Sequence, residues 1–270
     1  MVAPVSPATL VRGAATGALG AVTTIAAGAA LTAAVLAVEA WLATRRAYLP
    51  AASAPHVEGE FGDAASGGGA PLRLALIGDS SAAGVGVQSV AETIGGRLAA
   101  RLAASGRRVR LSGSAIAGSR TGDLGPQVSR ALLGRPDVAV ILIGTNDAMH
   151  ATPLPMVRRH LGDAVRRLRG AGVNVVVGTC PDLGAARAFA QPLRALLAVR
   201  SRQLASAQAD AVRTAGGVPV DLGAQTGSVF RADPGTLSAD RFHSSADGYR
   251  LWAEALLPAV RDAATSRASL

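Results

Sequence analysis

Hydrophobic and polar positions alternate along this chain in three regimes. Residues 13–38 carry no charge at all. The stretch from Pro50 to Pro71 is dominated by Ala, Ser, Gly and Pro, a composition that buries little apolar surface and predicts a flexible tether. Beyond it, short apolar runs alternate with longer amphipathic stretches, the pattern of an α/β domain around a parallel sheet. The runs predict strands over Leu72 to Ile77, Val109 to Leu111, Val138 to Ile143, Val173 to Val177 and Val218 to Leu222. Every position from Val138 to Ile143 is apolar, as a central strand covered on both faces requires. Helices are expected near Val90 to Ala104, Leu124 to Leu133, Pro155 to Gly170, Pro192 to Ala215 and Ala246 to about Arg261. In the last, Tyr249, Trp252, Ala253, Leu256 and Leu257 recur at helical spacing and read as core. The domain boundaries follow: residues 1–48 form an N-terminal tail and anchor, 49–70 a linker, and 71–265 one folded domain.

As a helix, residues 13–38 would reach about 39 Å, more than the roughly 30 Å hydrocarbon core of a bilayer, so the run is long enough to span. It exceeds the 7 to 15 apolar residues usual in a cleaved signal peptide, which favours a retained transmembrane anchor. Trp41 and Tyr48 fit an interfacial belt just beyond it. Gly13 and Gly17 make one GxxxG, a weak signal in so glycine-rich a run. Arg45 and Arg46 after the span outnumber Arg12 before it, which favours a cytoplasmic domain, while the α-amino group adds one charge to the other side.

Composition changes the picture little. All 27 basic residues of the 270 are arginine, and the formal net charge is +9. Such a balance suits nucleic acid or an anionic surface, but the arginines are scattered along helix-like stretches such as Arg158, Arg159, Arg166, Arg167 and Arg169. With no RNA-binding aromatic motif or zinc-ligand spacing, they read as a solvated face, and no nucleic-acid partner is expected. Cys180 is the only cysteine, so an intramolecular disulfide is excluded, and its place at a strand end before Pro181 reads as small buried packing.

The candidate chemistry lies in four short blocks: Gly78-Asp79-Ser80-Ser81, Gly118, Gly144-Thr145-Asn146-Asp147 and Asp240-Arg241-Phe242-His243. The first and third follow predicted strands directly, and in open α/β sheets reactive groups collect at the carboxyl ends of the strands. A serine attacking an acyl carbonyl needs a base for its proton, and His243 can supply it. Asp240, three residues earlier, is close enough in a tight turn to accept a hydrogen bond from the imidazole.

These blocks resemble those of the SGNH hydrolases of the GDSL esterase and lipase superfamily, in the form found in actinobacteria with an N-terminal membrane segment. The match runs from about Leu72 to Val260. The resemblance implies a three-layer α/β/α flavodoxin-like fold with a central parallel sheet, preceded here by one transmembrane helix. It implies a serine esterase acting on carboxylic esters, lipid or other acyl, through an acyl-enzyme intermediate. Ser80, Asp240 and His243 would form the triad. The oxyanion would meet the backbone N–H groups of Ser80 and Gly118 and the side-chain amide of Asn146, and no metal or organic cofactor is implied. Gly113 stands where the family usually has an Asn five positions before its Gly, Ser81 replaces the Leu of the name motif, and Ser244 replaces the Pro that often follows the His. Asp79 and Asp147 are expected to hold loop backbone. His56, His150 and His160 are given no role, and Asp182 is expected in a turn with a place on the site rim left open.

Two alternatives share this fold: an O-acetyl esterase acting on cell-envelope glycans, and a membrane-tethered binding protein without turnover. The expected partners are an ester substrate and the membrane. The layout of leader, linker and hydrolase places the domain outside the cytoplasm, or in the medium if the leader is cleaved. A nucleotide site fails for want of lysine in a phosphate loop and of a glycine at Ser89, and a metal hydrolase built on Asp79, Asp147, Asp240 and His243 lacks an HxH or HExxH pairing.

Overall fold

The computed structural model of the protein describes residues 31–43, 45–63 and 70–266. They fall in two compact units, one holding residues up to Arg46 together with Phe189–Leu193, the other the rest of the chain from Ala47. In the first, helix α1 covers residues 31–43, the Glu39 carboxylate accepts the Leu193 N–H at 2.8 Å, and the Arg45 guanidinium lies 5.0 Å from the Trp41 ring centroid. Most of the expected span over 13–38 lies outside the described residues. Among the described residues no helix is long and apolar enough to cross a membrane.

The second unit is built on six strands: β1 (Gly59–Phe61), β2 (Leu72–Gly78), β3 (Val109–Gly113), β4 (Val138–Leu142), β5 (Asn174–Gly178) and β6 (Val218–Val220). Their order is β1-β3-β2-β4-β5-β6. β2 to β6 are parallel, as expected, but β1 pairs antiparallel with β3, Gly59 facing Leu111 and Phe61 facing Val109, so the sheet is mixed. β1 lies inside the stretch read as a tether. Three residues with one large apolar side chain give no periodic signal, and pairing to an existing edge supplies what composition does not. At the opposite edge, β6 sets Pro219 across from Val177.

Among the described residues eight further helices follow α1: α2 (Ser80–Ala83), α3 (Ile94–Ala103), α4 (Leu124–Leu133), α5 (Thr145–Met149), α6 (Leu154–Gly170), α7 (Leu193–Thr214), α8 (Leu222–Ala232) and α9 (Ala246–Thr265). Alternate residues of each strand feed opposite layers. Leu74, Leu76, Val138 and Val140 pack with Leu98 of α3 and with Tyr249, Trp252 and Leu256 of α9. Ala75, Ile77, Ala139 and Ile141 pack with Val128 of α4, Leu161 and Leu168 of α6 and Val212 of α7. β4 is buried at all its positions, and each large aliphatic side chain so covered stabilises the fold by about 1.5–3 kcal/mol. The chain leaves β2 for β3 on one side and returns to β4 on the other, so the strand order switches direction between β2 and β4, where a crevice opens at the strand ends.

α8 was not expected, because Gly223 and Gly227 depress its helical propensity and the apolar run seemed to continue to Leu222. Its start is set by Asp221, whose carboxylate accepts the Ala224 N–H at 2.9 Å. At Gly227 the packing is tight: a Cβ there would stand 3.1 Å from that of Asp182.

Candidate active site

The loops after β2 and β4 begin at glycines for a steric reason. Gly78 has φ +141°, and a Cβ there would come within 1.8 Å of the Leu142 carbonyl oxygen, so β2 and β4 meet backbone to backbone. Asp79 then caps α2, its carboxylate accepting the Ser81 N–H at 2.9 Å, and Ser80 stands in the first turn. Asp79 is buried, and burial pushes its carboxyl up to about 6 against the opposing effect of hydrogen bonds from Ser81 and the charge of His243.

Asp240 and His243 sit in the loop between residues 234–236 and α9. Arg241 adopts φ +59°, and this left-handed turn brings the N–H groups of Phe242 and His243 onto Asp240 Oδ1, both at 3.0 Å. Asp240 Oδ2 takes the His243 ring at Nδ1 at 2.6 Å and the Leu49 N–H at 3.0 Å. Burial alone would raise the Asp240 carboxyl, but the hydrogen bonds from the His243 ring and from the N–H groups of Leu49, Phe242 and His243 outweigh it and hold the group well below the usual carboxylate range. An ionised Asp240 favours the imidazole tautomer with its proton on Nδ1, which leaves Nε2 able to accept one.

Ser80 and His243 line one pocket, together with Thr145, Asp182, Leu183, Phe230, Leu237, Phe242 and Trp252. Its volume is about 40 Å³. Trp252 stacks on Phe230 at 5.2 Å and donates Nε1–H to Thr226 Oγ1 at 3.1 Å, so this apolar wall is fixed. Asp182 caps the turn over Leu183–Ala185 and pairs with Arg231, which places it on the pocket rim.

Neither Gly118 nor Asn146 lines this pocket, though Thr145 next to Asn146 does; the two are brought to each other, Asn146 Nδ2 donating to the Ser119 carbonyl at 3.0 Å, which commits one of its two amide hydrogens and leaves the second. Gly118 has φ +84° and nothing within 4 Å of where a Cβ would be. Among the described residues, neither the Ser80 nor the Gly118 N–H is given to a protein acceptor. Asp147 is fully buried and accepts both the N–H and the hydroxyl of Thr121 at 2.9 Å, tying the Gly118 turn to α5. Gly113 ends β3 where a Cβ would come to 3.0 Å of the Val57 carbonyl oxygen, so an Asn at that position would collide with the segment before β1. Cys180 is buried, and burial raises its thiol well above the ordinary range, which makes it inert packing.

Two buried glutamines were not picked out from sequence. Gln127 accepts the Gly78 N–H at 2.8 Å and donates to Ser119 Oγ at 2.9 Å. Gln208 accepts the Cys180 N–H at 2.7 Å and donates to the Ile143 carbonyl at 2.8 Å. Each is a polar residue on an otherwise apolar helix face, Gln127 beside Leu124, Val128 and Ala131, Gln208 beside Leu204, Ala211 and Val212. That break in the stripe was the available signal.

The chain is 46% identical over 200 residues to a GDSL-like esterase of Mycobacterium tuberculosis, an alignment covering 73% of this chain and 64% of that relative. A solved lipase/acylhydrolase from Enterococcus faecalis superposes with a TM-score of 0.59 at 23% identity over 70% of this chain and 95% of its own. A solved acetylxylan esterase from Geobacillus stearothermophilus superposes with a TM-score of 0.55 at 20% identity over 71% and 95%. These two likenesses speak for the fold. The sequence model of the GDSL-like Lipase/Acylhydrolase family matches residues 76–251, a span that holds all four motif blocks. The chain therefore belongs to the GDSL-like lipase/acylhydrolase family.

Proposed function

We propose that the protein is a serine esterase that hydrolyses carboxylic esters carrying a short acyl group. The observation that carries this reading is the 2.6 Å bond from His243 Nδ1 to a fully ionised Asp240, set against a pocket that Ser80 and His243 line together. In the first step Ser80 Oγ adds to the acyl carbonyl while His243 Nε2 takes its proton. The oxyanion is met by the N–H groups of Ser80 and Gly118 and the second amide hydrogen of Asn146. Collapse expels the alcohol, which leaves with the proton from His243. Water, deprotonated by the same nitrogen, then attacks the acyl-serine, and Ser80 recovers its proton as the carboxylic acid departs.

Acyl length follows from room. A volume of about 40 Å³ walled by Phe230, Trp252 and Leu237 favours an acetyl-sized group over a long lipid chain. The charge-free leader over residues 13–38 and the tether-like composition after it support a membrane-anchored protein whose domain faces away from the cytoplasm.

The test is hydrolysis of p-nitrophenyl esters from acetyl to palmitoyl by the full chain. Ser80→Ala should abolish turnover while leaving the fold intact, and Asn146→Ala should lower kcat by about 10² to 10³. Turnover should peak at acetyl or butyryl. Activity that survives Ser80→Ala would place the nucleophile elsewhere. A folded wild type that neither turns over nor is labelled by a fluorophosphonate would make the protein a binder.

A further inference from the structure

Asp240 receives one hydrogen bond from far outside its own loop. Leu49, 191 positions away in sequence, donates its N–H to Oδ2, the same oxygen that holds the His243 ring. The residues around Leu49 are built into the domain. Tyr48 packs its ring on Phe242 at 5.0 Å, and Phe242 in turn meets the His243 ring edge-on at 5.0 Å. Downstream, Pro55 lies against the Gly84 turn that ends α2, Val57 is buried on Gly95 and Gly113, and β1 closes the sheet edge. The segment from Tyr48 to Phe61 is thus a strap that touches the loop of the general base and the far end of the nucleophile helix.

We propose that Leu49 is a positioning residue of the catalytic site, its backbone N–H fixing the carboxylate that orients His243. The proposal rests on the esterase reading above. Asp240 Oδ1 is saturated by its own loop, so Oδ2 alone sets the direction of the imidazole, and a second donor on it stops the carboxylate from rotating away. Because the donor is backbone, only its removal, and not a change of the Leu49 side chain, is informative. The site is thus completed by chain that composition assigned to a linker.

The experiment compares full-length wild type, Leu49→Pro and Ala51→Pro on p-nitrophenyl acetate. Pro50 has φ −68° and ψ 144°, a conformation compatible with a following proline, and Ala51 opens a 3-10 turn, so Ala51→Pro controls for the substitution itself. Leu49→Pro should lower kcat about tenfold with KM within twofold, and Ala51→Pro should match wild type. In an Asp240→Ala background Leu49→Pro should cause no further loss. Should Leu49→Pro not fold, an amide-to-ester replacement that deletes only the Leu49 N–H gives the same readout. Wild-type kcat without that N–H, or an equal loss in both backgrounds, would overturn the proposal. Absence of Ser80-dependent turnover in wild type would instead remove the esterase reading on which it stands.

Discussion

At the scale of single residues, the site separates two carboxylates by their surroundings. Asp240 accepts four hydrogen bonds and stays ionised. Asp79 is buried with one, and burial raises it to about 6 from 3.8. A raised folded-state value means that folding favours the protonated form, so the stabilisation is complete below about pH 4 and is lost as pH rises through about 6. The two-unit gap is worth about 3 kcal/mol. Asp79→Asn should therefore abolish a loss of that order between pH 4 and 7, measured as the difference between variant and wild type in urea unfolding at each pH. A flat difference curve would mean that the Asp79 carboxyl titrates alike in the folded and unfolded chain. Ser80, Asp240, His243 and Asn146 were legible from sequence because each is a side chain of restricted chemistry at a strand end or in a tight turn. Leu49 was not, since a backbone N–H leaves no mark on residue type.

At the scale of elements, the site depends on loops that start from neighbouring strands and are stitched by buried amides. Gln208 bridges the chain just beyond β4 and β5 through Ile143 and Cys180. Gln208→Leu would strand two buried backbone groups at about 1–3 kcal/mol each, so urea unfolding should show a loss of about 2–6 kcal/mol. A loss below 1 kcal/mol would show that solvent replaces the glutamine. The long helices were readable because their apolar stripes persist over several turns; Leu124–Leu133 was placed to the residue. α8 escaped because its two glycines depress helical propensity, and α2 and α5 because a single turn carries no periodicity. β1 escaped for the same want of length, and the residues from Pro50 to Phe61, inside the stretch read as a tether, are held by contacts to distant parts of the chain and not by local composition.

At the scale of the whole molecule, the parallel arrangement of β2 to β6 and the two helical layers follow from the alternation of apolar runs and amphipathic stretches, since a parallel pair demands a crossover. For the proposed anchor, the side of the membrane follows from no such rule, because Arg45 and Arg46 argue against the layout of leader and linker. A reporter fused after Leu270 that works only outside the cytoplasm is the expected result, and function only inside would reverse the placement.

The two borders of the sheet carry a consequence for behaviour at high concentration. Val218 and Val220 turn their backbone groups towards β5, as the bond from the Thr179 N–H to the Val220 carbonyl shows, so the intervening Pro219 presents the outer border of β6. Proline has no N–H to offer an incoming strand. At the other border Glu60 of β1 is engaged with Arg110 and Arg108, and a strand docking there would have to cover these charges. Both open edges of the sheet thus disfavour the addition of a further strand, which works against sheet-to-sheet growth when the protein is crowded.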